Sequence, residues 1–518
     1  MLYDSTMLDI GSDKQVFVDD LLLESVENMS REWHQPVRVE ACLEKPLLTR
    51  DQPWEPALEL GCNGWQIIRD PKDGLFKCWY CSYKKAFVVP GQAALEGSVF
   101  NILYAESEDG IHWRKPLFDL ARENGAPTNI VIRNGYDPGV LFDPLEEDDS
   151  KRFKIIHSQF AASRDIEPLG AATSADGIHW TPTAQPPVFG RSGPYLDDVI
   201  ILSRDPNSRV YLMNTRHFDM YAVARNLKNP VVGHFIPPNY PLDWRRLNKR
   251  RIWQAESADF LHWCDPYPVL GPEDGQDDLE EAYYGLCQFP LGDVKLGFLN
   301  ILQQTANTFY VRLVYSRDGK TWQQLNKRRP FMSPRGAGHW DAYMLTMPNK
   351  PIPVGDELYI YHDGFKTHHD WYITGCREGL DVPEANDPNM PDSSIGLAKL
   401  RLDGFVSLKA GPARTGIVIT RPFISYGSKL EVNARCLPGG SIAAEAVDIH
   451  DDVLPGFSRQ ECNVFTGDSV RHTFTWKGRS EIPVLSKTKP PYPEPEIGRF
   501  RKIRFYMDKA ELYSFRLV

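Results

Sequence analysis

No stretch of these 518 residues is long and apolar enough to span a bilayer as a helix. Nor does the chain open with a charged region followed by an apolar one: Met1-Leu2-Tyr3-Asp4-Ser5 lacks the pattern of a secretory signal. The expected address is therefore the cytoplasm, with a secreted protein trimmed of its signal as the alternative. Basic surplus is missing too. A net charge of -10 argues against nucleic acid and acidic membrane surfaces as partners. The nine cysteines are odd in number and scattered, so no disulfide framework is expected. Cys78-Trp79-Tyr80-Cys81 has CxxC spacing, but in an extended run those two side chains point to opposite faces, and no second pair completes a zinc site. Helical periodicity of any length is also absent, apart from short insertions such as the segment from Leu117 to Glu123.

What the chain does have is a phrase that recurs from end to end. Ser107-Glu108-Asp109-Gly110-Ile111-His112-Trp113 returns as Ser174-Ala175-Asp176-Gly177-Ile178-His179-Trp180 and as Ser257-Ala258-Asp259-Phe260-Leu261-His262-Trp263. It returns again as Ser316-Arg317-Asp318-Gly319-Lys320-Thr321-Trp322, and in decayed form as Leu402-Asp403-Gly404-Phe405-Val406. The copies lie roughly 60 to 85 residues apart, the spacing of propeller blades with long loops. Each follows a β-type run, and Asp-Gly supplies a tight turn through glycine's freedom at positive φ and the carboxylate's bonds to nearby backbone. The Trp that follows suits the gap between neighbouring blades. These repeats, with His112, His179 and His262, are expected to be scaffold.

Five blades can be drawn, each opening with an acidic residue before an apolar strand. The openings are Glu59 ahead of Trp65-Gln66-Ile67-Ile68, Asp137 ahead of Val140-Leu141-Phe142, Asp197-Asp198 ahead of Val199-Ile200-Ile201, Glu280-Glu281 ahead of Ala282-Tyr283-Tyr284, and His339-Trp340-Asp341 ahead of Ala342-Tyr343-Met344. Beyond about residue 410 the phrase stops while alternating strands continue. The expected class is all-β: a strand or latch over 1–44, a five-bladed β-propeller over 45–410 and a C-terminal β-sandwich over 411–518.

Inner strands converge on a propeller's axis, so the five openings would gather Glu59, Asp137, Asp197 or Asp198, Glu280 or Glu281, and Asp341 at one mouth. Like charges in a partly desolvated cleft push some pKa values up and leave others low. Glycoside hydrolysis needs that division, a protonated acid for the leaving oxygen and an ionised carboxylate as base or nucleophile.

With five blades, an axial carboxylate set and a C-terminal sandwich, the chain resembles the five-bladed propeller glycosidases of families 32, 43 and 68, with families 117 and 130 as relatives. The resemblance is architectural and covers roughly residues 45 to 518. It implies a base or nucleophile, a transition-state stabiliser and an acid on the first three blades, here Glu59, Asp137 and Asp198, with Glu281 and Asp341 completing the pocket. Asp197, Glu280, Arg216, His217, His362 and His368 are candidates to bind hydroxyls, and Trp65, Trp340 and Trp371 to offer sugar-stacking faces. The loop His368-His369-Asp370-Trp371 reads more readily as a cover for the sugar than as a metal site, so no metal or other cofactor is assigned.

The fructosidase signatures are out of place. Asn386-Asp387-Pro388-Asn389 falls late, Arg69-Asp70-Pro71 and Arg204-Asp205-Pro206 are corner chemistry, and Glu461-Cys462 lies beyond the propeller. The basic run Arg245 to Arg251 reads as a solvated hairpin edge. The expected activity is exo-acting hydrolysis of a furanoside or short oligosaccharide. The alternatives are a phosphorylase, with phosphate held by Arg216 or Arg335, and a non-catalytic carbohydrate-binding protein. A carbohydrate is the expected partner, and oligomeric state is not legible.

Overall fold

The computed structural model describes residues 8–61, 64–84, 99–159, 169–190, 199–216, 250–273, 275–278, 280–304, 306–369, 393–483 and 501–518. Its core is five sheets in chain order, the blades of a propeller, antiparallel apart from one short outer pair in blade 3. Blade 1 pairs Trp65–Arg69 and Leu58–Glu59 with Phe76–Lys84, then Val99–Ser107 and Ile130–Arg133. Blade 2 is Gly135–Phe142, Phe153–Gln159, Leu169–Ser174 and Thr181–Pro182. Blade 3 runs from Ile201–Arg204 through Tyr211–Thr215 to Ile252–Ser257 and its short outer strands. Blade 4 is Glu281–Leu291, Val294–Gln303, Thr308–Ser316 and Gln323–Gln324.

Blade 5 is completed from the other end of the chain. Ile352–Val354, Glu357–Phe365 and Ser393–Arg401 are joined by Val37–Arg38, which pairs with Lys399 and Ala398. Residues 8–33 go elsewhere. Gln15–Val16, Leu23–Glu27 and Met29–Trp33 enter an eight-stranded sheet built on the two long strands Leu430–Val447 and Lys502–Leu517. Val406–Ala410 also belongs to that sheet, so the last strand placed in the propeller by its sequence position pairs with the second β body. Blades 4 and 5 share one apolar core with Val16, Val18, Phe405, Val406 and Val470, which ties the two bodies together.

The recurring phrase is the corner between the third and fourth strands. Asp109 Oδ1 accepts the backbone N–H groups of Ile111 and His112 at 2.8 Å, Ser107 Oγ accepts that of Gly110 at 2.9 Å, and His112 Nδ1 meets the second carboxylate oxygen at 2.7 Å. Asp176, Asp259 and Asp318 repeat the arrangement, with Thr321 in the histidine's place in the fourth copy. Where the third copy has Phe260 instead of glycine, the backbone still takes φ 72°, a costly left-handed conformation held by packing against Trp263 and Tyr211. The first two corners dock on the preceding blade: Tyr361 OH donates to Gly110 O at 2.8 Å, and Trp79 Nε1 to Gly177 O at 2.6 Å.

A second set of carboxylates rivets blade to blade at the far ends of the inner strands. Asp70 receives both guanidinium nitrogens of Arg152 from blade 2, at 2.7 and 2.8 Å. Asp143 binds Arg204 of blade 3, and Asp205 binds Lys295 of blade 4. Burial alone would raise Asp70, but Arg152 and Lys77 hold it down at about 2. The Arg-Asp-Pro signatures at 69–71 and 204–206 are thus structural nodes.

Blade 5 closes on blade 1 through hydrogen bonds that each involve a buried side chain. Trp65 Nε1 donates to Asp363 Oδ2 at 3.1 Å, Gln66 Nε2 to Pro348 O at 3.3 Å, and Ile67 N to Asn349 Oδ1 at 2.7 Å. Asp363 also accepts from Thr346 N and Oγ1, both at 2.7 Å, so both its oxygens are acceptors. Burial nevertheless pushes this acid up to about 7, whereas burial, with Arg38 nearby, pulls neighbouring His362 down to about 4.

The two groups oppose each other in the dependence of stability on pH. Between 3.8 and about 7 the unfolded chain has released the Asp363 proton while the fold retains it, so this term weakens the fold as pH rises. Between 6.5 and about 4 the unfolded chain takes up a proton that folded His362 refuses, so that term weakens the fold as pH falls. Asp363→Asn removes the first term and leaves the second. The variant's melting temperature should therefore drop more steeply than the wild type's on acidification from about pH 6.5 to about pH 4.5. Parallel curves would mean that Asp363 titrates as an ordinary carboxylate.

Candidate active site

At the mouth of the axis lie the starts of the inner strands and the ends of the second strands. Asp137 lies near the start of blade 2's inner strand, 3% exposed, and Ser158 Oγ donates to its Oδ2 at 3.3 Å from the end of the second strand. The register of that pair shifts between Tyr136 and Gly139, and Asp137 takes φ 53° within the irregularity. A left-handed residue is costly outside glycine, and one directly before Pro138 is doubly constrained. Such strain persists where the surroundings over-determine it, and it clusters at functional positions. Close packing helps to hold it: a Cβ on Gly139 would lie 2.4 Å from Ile200 Cγ2 of blade 3.

Around the same mouth, blades 3, 4 and 5 contribute a cationic and aromatic wall. Arg216 ends blade 3's second strand and is 2% exposed; its guanidinium lies 4.2 Å from the centre of the Tyr284 ring. Arg250, just before the third strand, lies 4.5 Å from the same ring. From blade 5, His369 Nε2 is 3.2 Å from Tyr284 OH, and its ring also packs on Phe309. His368 stacks on Tyr343 at 3.9 Å. Guanidiniums on a buried ring are fixed in orientation, and Arg presents planar donors suited to carboxylate or phosphate.

Two of the five expected axial carboxylates turn away from the mouth. Glu281 accepts from Arg312 Nη2 at 2.5 Å and from Tyr310 OH, in a cluster completed by Asp277, Arg328 and Tyr283. Burial opposes ionisation of Asp277, but the Glu273 backbone N–H, Tyr283, Arg328 and Arg312 hold it below the usual carboxylate range. Asp341 accepts from Arg335 Nε at 2.5 Å and Arg38 Nε at 3.1 Å. Both carboxylates are fully buried and have arginine partners, which makes them scaffold.

Arg335, a candidate phosphate holder, is committed to the Asp341 pair. Trp340 and His362 stack face to face at 5.5 Å inside blade 5, with Trp340 Nε1 bound to Cys42 O, so neither presents a sugar-binding face. Trp65 is wholly buried at the closing seam. Glu280 sits beside the mouth, its carbonyl accepting from Gln304 N. Glu59 pairs with Cys81 at the edge of blade 1. The Glu59 side chain, and Asp197, Asp198, His217, Asp370 and Trp371, lie outside the described residues.

Sequence reasoning missed Tyr284, Tyr343 and Ser158, and it read Arg250 as part of a solvated edge. The pairing Tyr283-Tyr284 was visible, but alternation alone does not say which tyrosine faces the mouth: Tyr283 bonds Asp277 inside the blade, and Tyr284 meets the arginines. Among the described residues no cluster of three or more His, Cys, Asp or Glu side chains is placed to hold a metal ion.

No family model matches the chain, and no curated protein matches it. Solved structures align with much of the chain at low identity. An N-acetylgalactosamine deacetylase from F. plautii, in complex with blood group B trisaccharide, aligns at 14% identity and TM-score 0.43, covering 73% of this chain and 97% of that one. A β-1,2-mannobiose phosphorylase from Listeria innocua aligns at 12% identity and TM-score 0.45, covering 71% and 97%. A glycosyl hydrolase from Bacteroides ovatus aligns at 13% and 0.42, covering 71% and 94%. Likeness this distant assigns no chemistry to this chain.

Proposed function

We propose that this protein is a carbohydrate-active enzyme that cleaves glycosidic bonds at the axial mouth, by exo-acting hydrolysis of a furanoside or short oligosaccharide. Asp137 carries the reading. A buried carboxylate held in strained backbone at the start of an inner strand is placed to stabilise charge that develops on a sugar ring. Its hydrogen bond from Ser158 fixes the orientation. Asp198 as acid and Glu59 as base or nucleophile complete the proposed trio, in the order that the resemblance implies. Hydrolysis needs such a division of carboxylate roles.

One observation favours a second reading. Arg216 and Arg250, both directed at Tyr284, form a wall suited to an oxyanion, so that phosphate could replace water as the attacking group. Nitrophenyl furanosides and pyranosides, assayed with and without inorganic phosphate, separate the two. Turnover in phosphate-free buffer is the expected result; strict dependence on phosphate identifies the phosphorylase. If no glycoside turns over while sugars still bind and Asp137→Asn weakens that binding, the mouth is a binding site and the catalytic reading fails.

A further inference from the structure

The strand that carries Glu59 is two residues long, Leu58–Glu59, so few bonds are available to fix it. One edge pairs with Cys81 and Ser82 of blade 1's second strand, and Tyr83 N donates to Ala57 O at 2.9 Å on that same side. In an extended chain the carbonyl of residue 58 and the N–H of residue 60 then point the opposite way. Leu58 and Leu60 are both fully buried, so these two backbone groups need protein partners. A neighbouring strand would ordinarily supply them. Here a single hydroxyl does so: Ser393 Oγ accepts from Leu60 N at 3.0 Å and donates to Leu58 O at 2.8 Å, bracketing Glu59 on both sides.

Ser393 is itself locked into blade 5. It opens the strand Ser393–Arg401, pairs with Phe365 and has no exposed surface. The seam between blades 5 and 1 is secured independently, by the bonds of Trp65, Gln66 and Ile67 to Asp363, Pro348 and Asn349. The approach to Glu59 is anchored as well, since Glu55 accepts from Tyr80 OH at 2.6 Å and from Lys115 Nζ at 2.7 Å. The two bonds of Ser393 therefore act on the three residues centred on Glu59 rather than on the closure of the propeller.

We propose that Ser393 is a positioning residue for the reaction, setting the backbone of Glu59 from across the blade seam. This role rests on the reading of Glu59 as base or nucleophile. A shift of about 1 Å in a reacting group costs on the order of a hundredfold in rate. Without the hydroxyl, Leu58 O and Leu60 N lose their common partner and the short strand can shift, while groups that bind the sugar elsewhere are untouched. The loss should fall on kcat and spare KM.

A double-mutant cycle on the full chain tests this, with kcat measured per folded molecule on the responsive glycoside. Ser393→Ala should lower kcat roughly ten- to a hundredfold with KM within about threefold of the wild type, and Ser393→Thr, which keeps the hydroxyl, should restore most of the loss. On a Glu59→Gln background, where no carboxylate is left to position, Ser393→Ala should cost less than about threefold. If Ser393→Ala does not fold, Ser393→Cys, which fills the same space with a weaker hydrogen bond, takes its place in the cycle. Wild-type kcat in Ser393→Ala overturns the proposal. So does a loss of equal size on both backgrounds, the mark of a merely structural contact. Glu59→Gln with wild-type turnover instead removes Glu59 from the chemistry, and the role of Ser393 with it.

Discussion

Asp137→Asn should lower kcat on the responsive glycoside by roughly a hundred- to ten-thousand-fold while leaving the melting temperature within about 2 °C of the wild type. The two halves of this expectation have separate causes. Asparagine tolerates the left-handed backbone at least as well as aspartate, so φ 53° is no harder to hold and Ser158 keeps an acceptor. What is lost is the negative charge at the head of blade 2's inner strand. A variant that is stable and fully active would remove Asp137 from the chemistry and leave its strain without a functional account. Ser158→Ala should act more weakly, since it removes only the hydrogen bond that positions the carboxylate.

Glu281→Ala and Asp341→Ala should show the opposite pattern. Each removes a buried carboxylate from arginines that remain, Arg312 in one case and Arg38 with Arg335 in the other. Breaking such a pair costs up to about 3–5 kcal/mol, because the remaining charge loses its partner without regaining water; Glu281→Ala falls below that range, since Arg312 keeps Asp277 at 2.7 Å. Asp341→Ala belongs at the lower end, since Arg38 and Arg335 keep some contact with solvent. Urea unfolding of each variant should show the midpoint falling, while kcat per folded molecule stays within a few-fold of the wild type. Unchanged stability with lost turnover would return these carboxylates to the catalytic set. Measured together with Asp137→Asn, they test whether the axial ring divides into a member that takes part in the reaction and two that brace single blades, Glu281 in blade 4 and Asp341 in blade 5.

The five-bladed plan was legible because its signal is local. Asp109 and Gly110 build their corner from backbone groups only two or three residues away, so the residues that specify the turn are the residues that read as one. Four such corners at blade-like spacing left few other architectures. The position of Asp137 was legible for the same reason, as an acidic residue at the head of an apolar strand.

The assignments that changed depended on distant partners. Arg312 lies 31 residues beyond Glu281, and Arg38 lies 303 residues before Asp341, on the strand that closes the propeller. Nothing local marks Glu281 as paired, and the nearby Arg335 shows only half of the Asp341 pair. Nor could sequence position show that residues 8–33 serve the second β body while Val37–Arg38 completes blade 5, because sheet edges are filled by whichever strand the topology brings to them. The sequence by itself determined the repeat, its turns and the presence of acidic residues at the blade openings. Only the tertiary structure decided that Glu281 and Asp341 are paired with arginines, because in a low-dielectric interior a carboxylate's role is set by the cation packed against it.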